Sequence, residues 1–301
     1  KRQGQQAPTR DFDWLDDDLE IAEEGEIALF VGCLPFYDIL FERELEIQTL
    51  DIARSAIRLL NRVGIKPVLL GEERCCGHDL LWNGEKEAFQ VLAEANTEAF
   101  NKRGVKHILT TCAECCRTWR LDSTNAVPAY RPKVEHLSEF LAARLEAGEL
   151  VANPKQSRKI TFQDPCRLGR HLEVTDAPRQ VLGAFSDGNG GGLVEMKLSG
   201  RDAVCCGTSG FIHCDANSRR LQSERLASAE ATGADTLATA CPKCLIHFHC
   251  AQSEDRRRGR HTADIAVEDL TVLAAAALSR AETTASGTEQ EQSTQKRTGE
   301  S

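Results

Sequence analysis

The chain has 301 residues, a formal charge of -9 and 41% hydrophobic residues, enough for one large domain or two of ordinary size with a sizeable core. The acidity and the 5% aromatic content argue against nucleic-acid binding, which needs a basic stripe and a stacking platform. No apolar run approaches the roughly 18 residues that cross a bilayer, and no basic start leads into an apolar stretch. The expectation is a protein without a signal peptide, cytoplasmic and at most peripheral to a membrane complex, although the sequence starts at Lys1 rather than Met.

Residues 1–26 read as a flexible tail. Its first ten residues are polar and basic, and 11–24 are acidic with Trp14, Leu15 and Leu19 as isolated apolar anchors; docking of Trp14 and Leu15 on a partner is the competing reading. Short apolar runs then alternate with amphipathic stretches. Strands are expected at Ile27–Val31, Lys66–Leu70 and His107–Thr111, and helices at Leu45–Arg62, Glu87–Arg103 and Ser138–Ala147, with Gly104 stopping the second helix. The order then restarts, with strands at Lys159–Gln163, Leu193–Lys197 and Asp235–Ala240. Helices are expected at Pro178–Phe185, Asn217–Thr232 (ended by Gly233) and Val267–Leu278. The run Gly188–Gly192 reads as a turn, since no Lys-Ser/Thr follows it as a phosphate loop requires. Residues 283–301 are Thr, Ser, Gln and Glu without periodicity and read as a disordered tail. The expectation is an α/β protein of two pseudo-symmetric repeats, 27–150 and 151–282. Each is a small, mostly parallel sheet flanked by helices, with functional groups at the C-terminal strand ends.

The 13 cysteines are too sparse for a small disulfide scaffold and too many for an ordinary enzyme. In a reducing compartment, clustered cysteines serve metal binding or redox chemistry. Ten of them repeat. Cys33, Cys75, Cys76, Cys112 and Cys115 in the first half match Cys166, Cys205, Cys206, Cys241 and Cys244 in the second, in the same order and at a nearly constant offset in the numbering. Each adjacent pair is followed by glycine, Gly77 or Gly207, and each half closes with Cys-x-x-Cys.

Thiolates are the usual ligands of iron–sulfur clusters, and Cys-x-x-Cys at a helix start aims two sulfurs at one point while the helix N-terminus favours the thiolate. Adjacent cysteines fit a multi-iron cluster better than one tetrahedral ion, and the glycine permits the sharp turn. Five thiolates per half also exceed the four that zinc uses. Zinc in both halves, zinc in one half with a cluster in the other, and inert buried cysteines remain the alternatives.

The pattern Cys-x41-Cys-Cys-Gly-x34-Cys-x2-Cys, then Asp-Pro-Cys-x38-Cys-Cys-Gly-x33-Cys-x2-Cys, resembles the duplicated cysteine-rich domain of the B and D subunits of heterodisulfide reductase. That domain also occurs in lactate-utilisation and glycolate-oxidase iron–sulfur subunits and in some succinate dehydrogenase anchor subunits. The resemblance covers about residues 28–280 and includes Asp164-Pro165-Cys166-Arg167-Leu168-Gly169-Arg170-His171, which is similar to the family's second-half opening. It implies two non-cubane [4Fe-4S] clusters, each held by one set of five cysteines, that cleave a disulfide between them, with Cys76 and Cys206 as the catalytic candidates. Without a Cys-x2-Cys-x2-Cys-x3-Cys run the chain looks more like the B type. That implies a separate ferredoxin-like iron–sulfur subunit as electron donor, with a flavoprotein subunit as a further partner, and a small-molecule or carrier disulfide or thiol as substrate.

The longer gap before Cys75 makes the first cluster the less certain of the two, and Cys116 stands ready to substitute for Cys115. Arg167, Arg170 and His171 beside Cys166 suit an anionic substrate; the competing reading pairs the arginines with local carboxylates. His78 and His213 follow the two Cys-Cys-Gly turns as candidate proton donors, more often surface or core histidines. His247 is placed to touch a cluster sulfur, whereas Cys214 and Cys250 read as buried small hydrophobes. A non-catalytic relay in a lactate-, glycolate- or quinone-linked complex and a zinc-stabilised assembly module are the alternative functions.

Overall fold

The central strands are buried on both faces, Thr161 and Gln163 as fully as Ile160 and Phe162, because strands covered by helices on both faces have no solvent side. The computed structural model describes residues 11–152, 158–186, 191–207, 215–260 and 263–281. The first half runs β1 (Ile27–Phe30), α1 (Leu34–Leu45), α2 (Leu50–Arg62), α3 (His78–Trp82), α4 (Lys86–Lys102), β2 (His107–Thr110), α5 (Ala113–Arg117), α6 (Thr124–Ala126), β3 (Lys133–His136), α7 (Leu137–Glu146) and β4 (Leu150–Ala152). The second runs β5 (Lys159–Gln163), α8 (Cys166–Gly169), α9 (Asp176–Gly183), β6 (Gly192–Leu193), α10 (Ala216–Glu230), β7 (Thr236–Thr239), α11 (Pro242–Arg257), β8 (Ala266–Asp269), α12 (Leu270–Ala277) and β9 (Leu278–Arg280).

Both sheets are parallel and built to one plan. The first has the order β1-β2-β3, with Ile27 opposite His107 and His107 opposite Lys133. The second has the order β6-β5-β7-β8, with Ile160 opposite Thr236 and Thr236 opposite Ala266. Ile27 and Ile160, His107 and Thr236, and Lys133 and Ala266 take corresponding places in the two ladders, so the duplication legible in the cysteines extends to the strand register. Val68 takes the place of β6 in the first half, bridging in parallel to Ala28.

The halves interlock about this pseudo-twofold relation. Helix α12 of the second half packs on α2 of the first, and α7 of the first packs on α9 of the second. The helices that follow the first cysteine of each set behave likewise: α1 packs on α11, and α8 on α5. Strands β4 and β9 pair antiparallel and tie the two ends together. One hydrophobic core runs through both halves, from Leu29, Ile57 and Leu60 to Phe162, Leu237 and Phe248.

Several expected boundaries move for identifiable reasons. Lys66–Leu70 pairs only around Val68, because Pro67 has no N–H to donate. The expected helix Leu45–Arg62 starts only at Leu50, and Leu45 is the last residue of α1. Glu46 ends α1 in the left-handed region at φ 57°, and Asp38 starts α2 by accepting from Leu50 N at 2.9 Å. The second sheet's Leu193–Lys197 pairs only to Leu193, beyond which Glu195 turns to Arg179 at 2.6 Å. Val267–Leu278 is a strand, a helix and a second strand rather than one helix. Part of the tail expectation for 1–26 gives way as well: Phe12, Trp14, Leu15 and Leu19 pack on the core, and Arg54 donates to Trp14 O at 2.7 Å. His213, Cys214, most of the glycine-rich run and the tail 283–301 lie outside the described residues.

Candidate metal centre

The strand ends deliver the cysteines to the seam between the halves. Cys33 follows β1 and caps α1, Cys112 follows β2 and caps α5, and Cys241 follows β7 and caps α11. Cys166 opens α8, and Cys115 and Cys244 lie in the first turns of α5 and α11. The Cys-Cys-Gly turns complete each set. Gly77 and Gly207 adopt φ of +80° and +84°, the left-handed conformation that only glycine reaches without strain.

The ten thiols form one unbroken series. Cys33 Sγ lies 3.5 Å from Cys75, Cys76 lies 3.4 Å from Cys115, and Cys206 lies 3.0 Å from Cys244. Cys75 and Cys76, Cys115 and Cys112, Cys241 and Cys244, Cys206 and Cys205, and Cys205 and Cys166 are likewise near enough for one thiol to shift the other. The two sets meet at Cys112 and Cys241, equivalent residues of the duplication that lie close enough across the seam to perturb each other's thiol.

This crowding has an electrostatic consequence. Hydrogen bonds from Cys33 and Cys112 hold Cys75 and Cys241, respectively, well below the ordinary thiol range. Mutual hydrogen bonding among the remaining thiols, then burial, pushes Cys115, Cys166, Cys206 and Cys244 upward. So dense a set of sulfurs loses its protons together only when strong positive charge sits among them.

The first five cysteines line a narrow cavity that also has Tyr37, His78, Asp79, Glu114, Pro242 and Lys243 in its wall. Burial first, then the neighbouring Cys33 and Cys112, pushes the Tyr37 phenol well above its usual value. Cys116 does not line this cavity. It is fully buried in a side cluster with Phe30, Phe100 and Trp119, where burial pushes its thiol up to about 12, so its expected substitution for Cys115 has no geometric support.

Buried polar residues hold the cysteine turns in place. The buried Glu73 carboxylate accepts from Val31 N at 3.1 Å and Gly32 N at 2.7 Å, fixing the turn into Cys33. Asn96 accepts from Arg74 N at 2.7 Å and donates to Cys75 O at 3.1 Å. Asp164 accepts from Arg179 at 2.8 and 2.9 Å and from Gly200 N at 2.7 Å. Glu73 and Asn96 are lone polar residues in sequence, whereas Asp164 opens the Asp164-Pro165-Cys166 motif.

The cationic group beside Cys166 is organised differently from the reading that pairs its arginines with carboxylates. Arg167 donates from Nε to His78 Nε2 at 3.0 Å, so the His78 ring proton lies on Nδ1, facing Asp79 at 2.9 Å. A second Arg167 nitrogen lies 3.0 Å from His171, and its guanidinium sits 3.7 Å over the half-exposed Trp82 ring. Arg170 donates to the carbonyls of Arg201 and Ala203 at 3.2 and 2.5 Å. Neither arginine makes an ion pair among the described residues. His247 Nδ1 lies 3.0 Å from Gln222, and burial holds the ring down to about 4.

A profile of the CCG Cysteine-rich domain family matches residues 27–119 and 160–249, the two halves just described. The chain belongs to this family. CCG relatives include the D subunit of the dihydromethanophenazine:CoB–CoM heterodisulfide reductase of Methanosarcina barkeri, 34% identical over 272 residues, which cover 88% of this chain and 62% of that protein. The EtfAB:quinone oxidoreductase of Syntrophomonas wolfei is 29% identical over 75% of this chain and 31% of its own length. The probable iron-sulfur-binding oxidoreductase FadF of Bacillus subtilis is 30% identical over 80% and 33%.

These relatives are oxidoreductases, one of them named as iron–sulfur-binding, and the heterodisulfide reductase relative is named as a subunit. This chain spans about three fifths of the heterodisulfide reductase D subunits it matches. A solved putative Asp/Glu racemase from Yersinia pestis reaches only 14% identity and a TM-score of 0.31, covering 83% of this chain and 96% of that one, too slight a likeness to bear on function. Among the described residues no helix is long and apolar enough to cross a membrane.

Proposed function

We propose that the two sets of five cysteines hold two [4Fe-4S] clusters of the non-cubane kind, and that the chain is the disulfide-handling subunit of a heterodisulfide reductase-like complex. The observation that carries this reading is the unbroken series of ten thiols across the seam, symmetric about the Cys112–Cys241 contact. Each half offers five sulfurs, one more than a tetrahedral zinc site uses, and an iron–sulfur cluster supplies the positive charge and the one-electron storage that such a set needs.

In the reaction a disulfide takes up two electrons and two protons and yields two thiols; the reverse direction forms the disulfide and returns the electrons. A ferredoxin-like iron–sulfur subunit, with a flavoprotein beyond it, exchanges those electrons. Arg167 and Arg170, which carry no carboxylate partner among the described residues, offer an anionic substrate a cationic rim beside Cys166, with His171 beside them as a neutral ring because burial, then Arg167, holds it below the usual histidine value. Cys76→Ser and Cys206→Ser variants that each keep the other half's iron test the reading. Each loses most disulfide reductase activity if the halves act together; full activity in both would end it.

The presence of a quinone oxidoreductase among the relatives favours a second reading, a relay that passes electrons without touching substrate. Direct binding of a disulfide or thiol to the isolated chain separates the two, because a relay has no such site.

A further inference from the structure

Lys243 belongs to the second half by sequence, between Cys241 and Cys244 at the start of α11, but its side chain serves the first half. It is 3% exposed and lines the first-half cavity with Pro242. Its Nζ lies 2.5 Å from Asp79 Oδ1 and 2.7 Å from Glu114 Oε2. Asp79 follows the Cys75-Cys76-Gly77 turn, and Glu114 stands between Cys112 and Cys115. One ammonium therefore ties together the two segments that carry four of the first half's five thiols. His78, Asp79 and Glu114 gather donor atoms within 4.8 Å of one another, and the cation placed among them is Lys243 itself.

Glu114 and Lys243 are equivalent positions of the duplication, each the second residue after the first cysteine of its Cys-x-x-Cys. Two copies of either residue would face each other with like charge at the seam, at a cost that burial magnifies. The Glu-to-Lys divergence turns that repulsion into a buried clamp. It also makes the two halves unequal, since the ammonium lies in the wall of the first cavity.

We propose that Lys243 is a positioning residue of the first half's metal centre: it locks the Cys75–Asp79 turn to the Cys112–Cys115 loop and closes the first cavity from the second half. The proposal builds on the ten cysteines being ligands. It sets the coupling between the halves: the second half's cysteine loop governs how firmly the first half holds its metal.

The test uses the full chain in two backgrounds, Cys206→Ser, which leaves a centre in the first half, and Cys76→Ser, which leaves one in the second. Lys243→Met is added to each, and iron release to EDTA and the EPR line shape are followed. In the Cys206→Ser background iron is released at least about tenfold faster and the spectrum changes, the scale expected when a group supporting a ligand is lost. In the Cys76→Ser background release changes less than about twofold, although Lys243 sits between that half's own cysteines. Equal effects in the two backgrounds, a larger effect in the second half, or no effect in the first would overturn the proposal. If Lys243→Met does not accumulate as folded protein, Glu114→Gln keeps the Lys243–Asp79 pair and shows the same contrast at smaller size. Parent backgrounds that hold no iron before Lys243 is touched would remove the ligand reading itself, and the proposal with it.

Discussion

Alanine in place of the glycine that ends each Cys-Cys-Gly turn separates the two halves energetically. A Cβ at either position meets a left-handed backbone, φ +80° at Gly77 and +84° at Gly207, which costs about 1–2 kcal/mol. The neighbours then differ. At Gly77 the added carbon comes 2.8 Å from the ring edge of Phe89, a side chain that can shift, for a further ~1–2 kcal/mol of overpacking. At Gly207 it comes 2.5 Å from the backbone oxygen of Ser218 and 2.9 Å from Gln222 Cγ, so helix α10 itself has to move. Gly77→Ala is therefore expected to cost about 2–4 kcal/mol and Gly207→Ala distinctly more, roughly 4 kcal/mol or above. Anaerobic guanidinium unfolding of the two full-length variants, with iron per chain measured on the same samples, gives the comparison. A Gly207→Ala variant no less stable than Gly77→Ala would refute the reasoning, because the difference comes entirely from backbone against side chain as the obstacle.

Further expectations follow from the buried polar groups. Arg225, 2% exposed, donates to Gln163 and to Leu198 O at 2.9 Å, and Gln163 in turn donates to Val204 O beside Cys205; Arg225→Ala should cost roughly 3–5 kcal/mol in denaturant unfolding by stranding those acceptors, and a cost under about 1 kcal/mol would contradict this. The N-caps of α7 and α12 are His136 and Asp269, equivalent residues with opposite pH behaviour. Burial holds the Asp269 carboxyl up to about 7 against the Thr271 N–H that it accepts. The folded chain thus keeps a proton that the unfolded chain loses near pH ~4, and stability falls as pH rises from about 4 to 7, by ~4 kcal/mol at most. Asp269→Asn keeps the cap and should flatten that slope in urea unfolding followed across this range. Burial pushes His136 down, so here the unfolded chain binds the extra proton. Stability rises as pH climbs toward about 6.5, and His136→Asn should remove that rise.

The parts of this molecule legible in sequence are those that repeat. The near-constant offset between the two cysteine sets anticipates the duplicated parallel sheets, because a duplicated strand–helix unit carries its ligand positions and its register together. The longest amphipathic helix, Lys86–Lys102 against an expected Glu87–Arg103, is readable because its apolar spacing is long and clean. The edge strands β3 and β8, Lys-Val-Glu-His and Ala-Val-Glu-Asp, escape the reading because an edge needs polar residues and so loses its apolar signature. Helix α1 escapes it because it leaves Phe36, Ile39 and Leu40 exposed, which no core-facing period describes. The supports of the centre are hidden for another reason. Glu73 and Asn96 act through tertiary neighbours far away along the chain, Gly32 and Arg74, and a single buried polar residue carries no spacing that sequence could reveal. The pairing of Glu114 with Lys243 is readable in principle, since the two occupy the same slot of the repeated Cys-x-x-Cys with opposite charge.

Metal analysis of anaerobically purified full-length protein bears on the central claim most directly: iron, acid-labile sulfide and zinc per chain, with EPR spectra recorded after oxidation with and without a thiol. Two clusters on ten cysteines predict about eight irons, matching sulfide and a thiol-dependent signal. Zinc alone, without sulfide, would contradict the account.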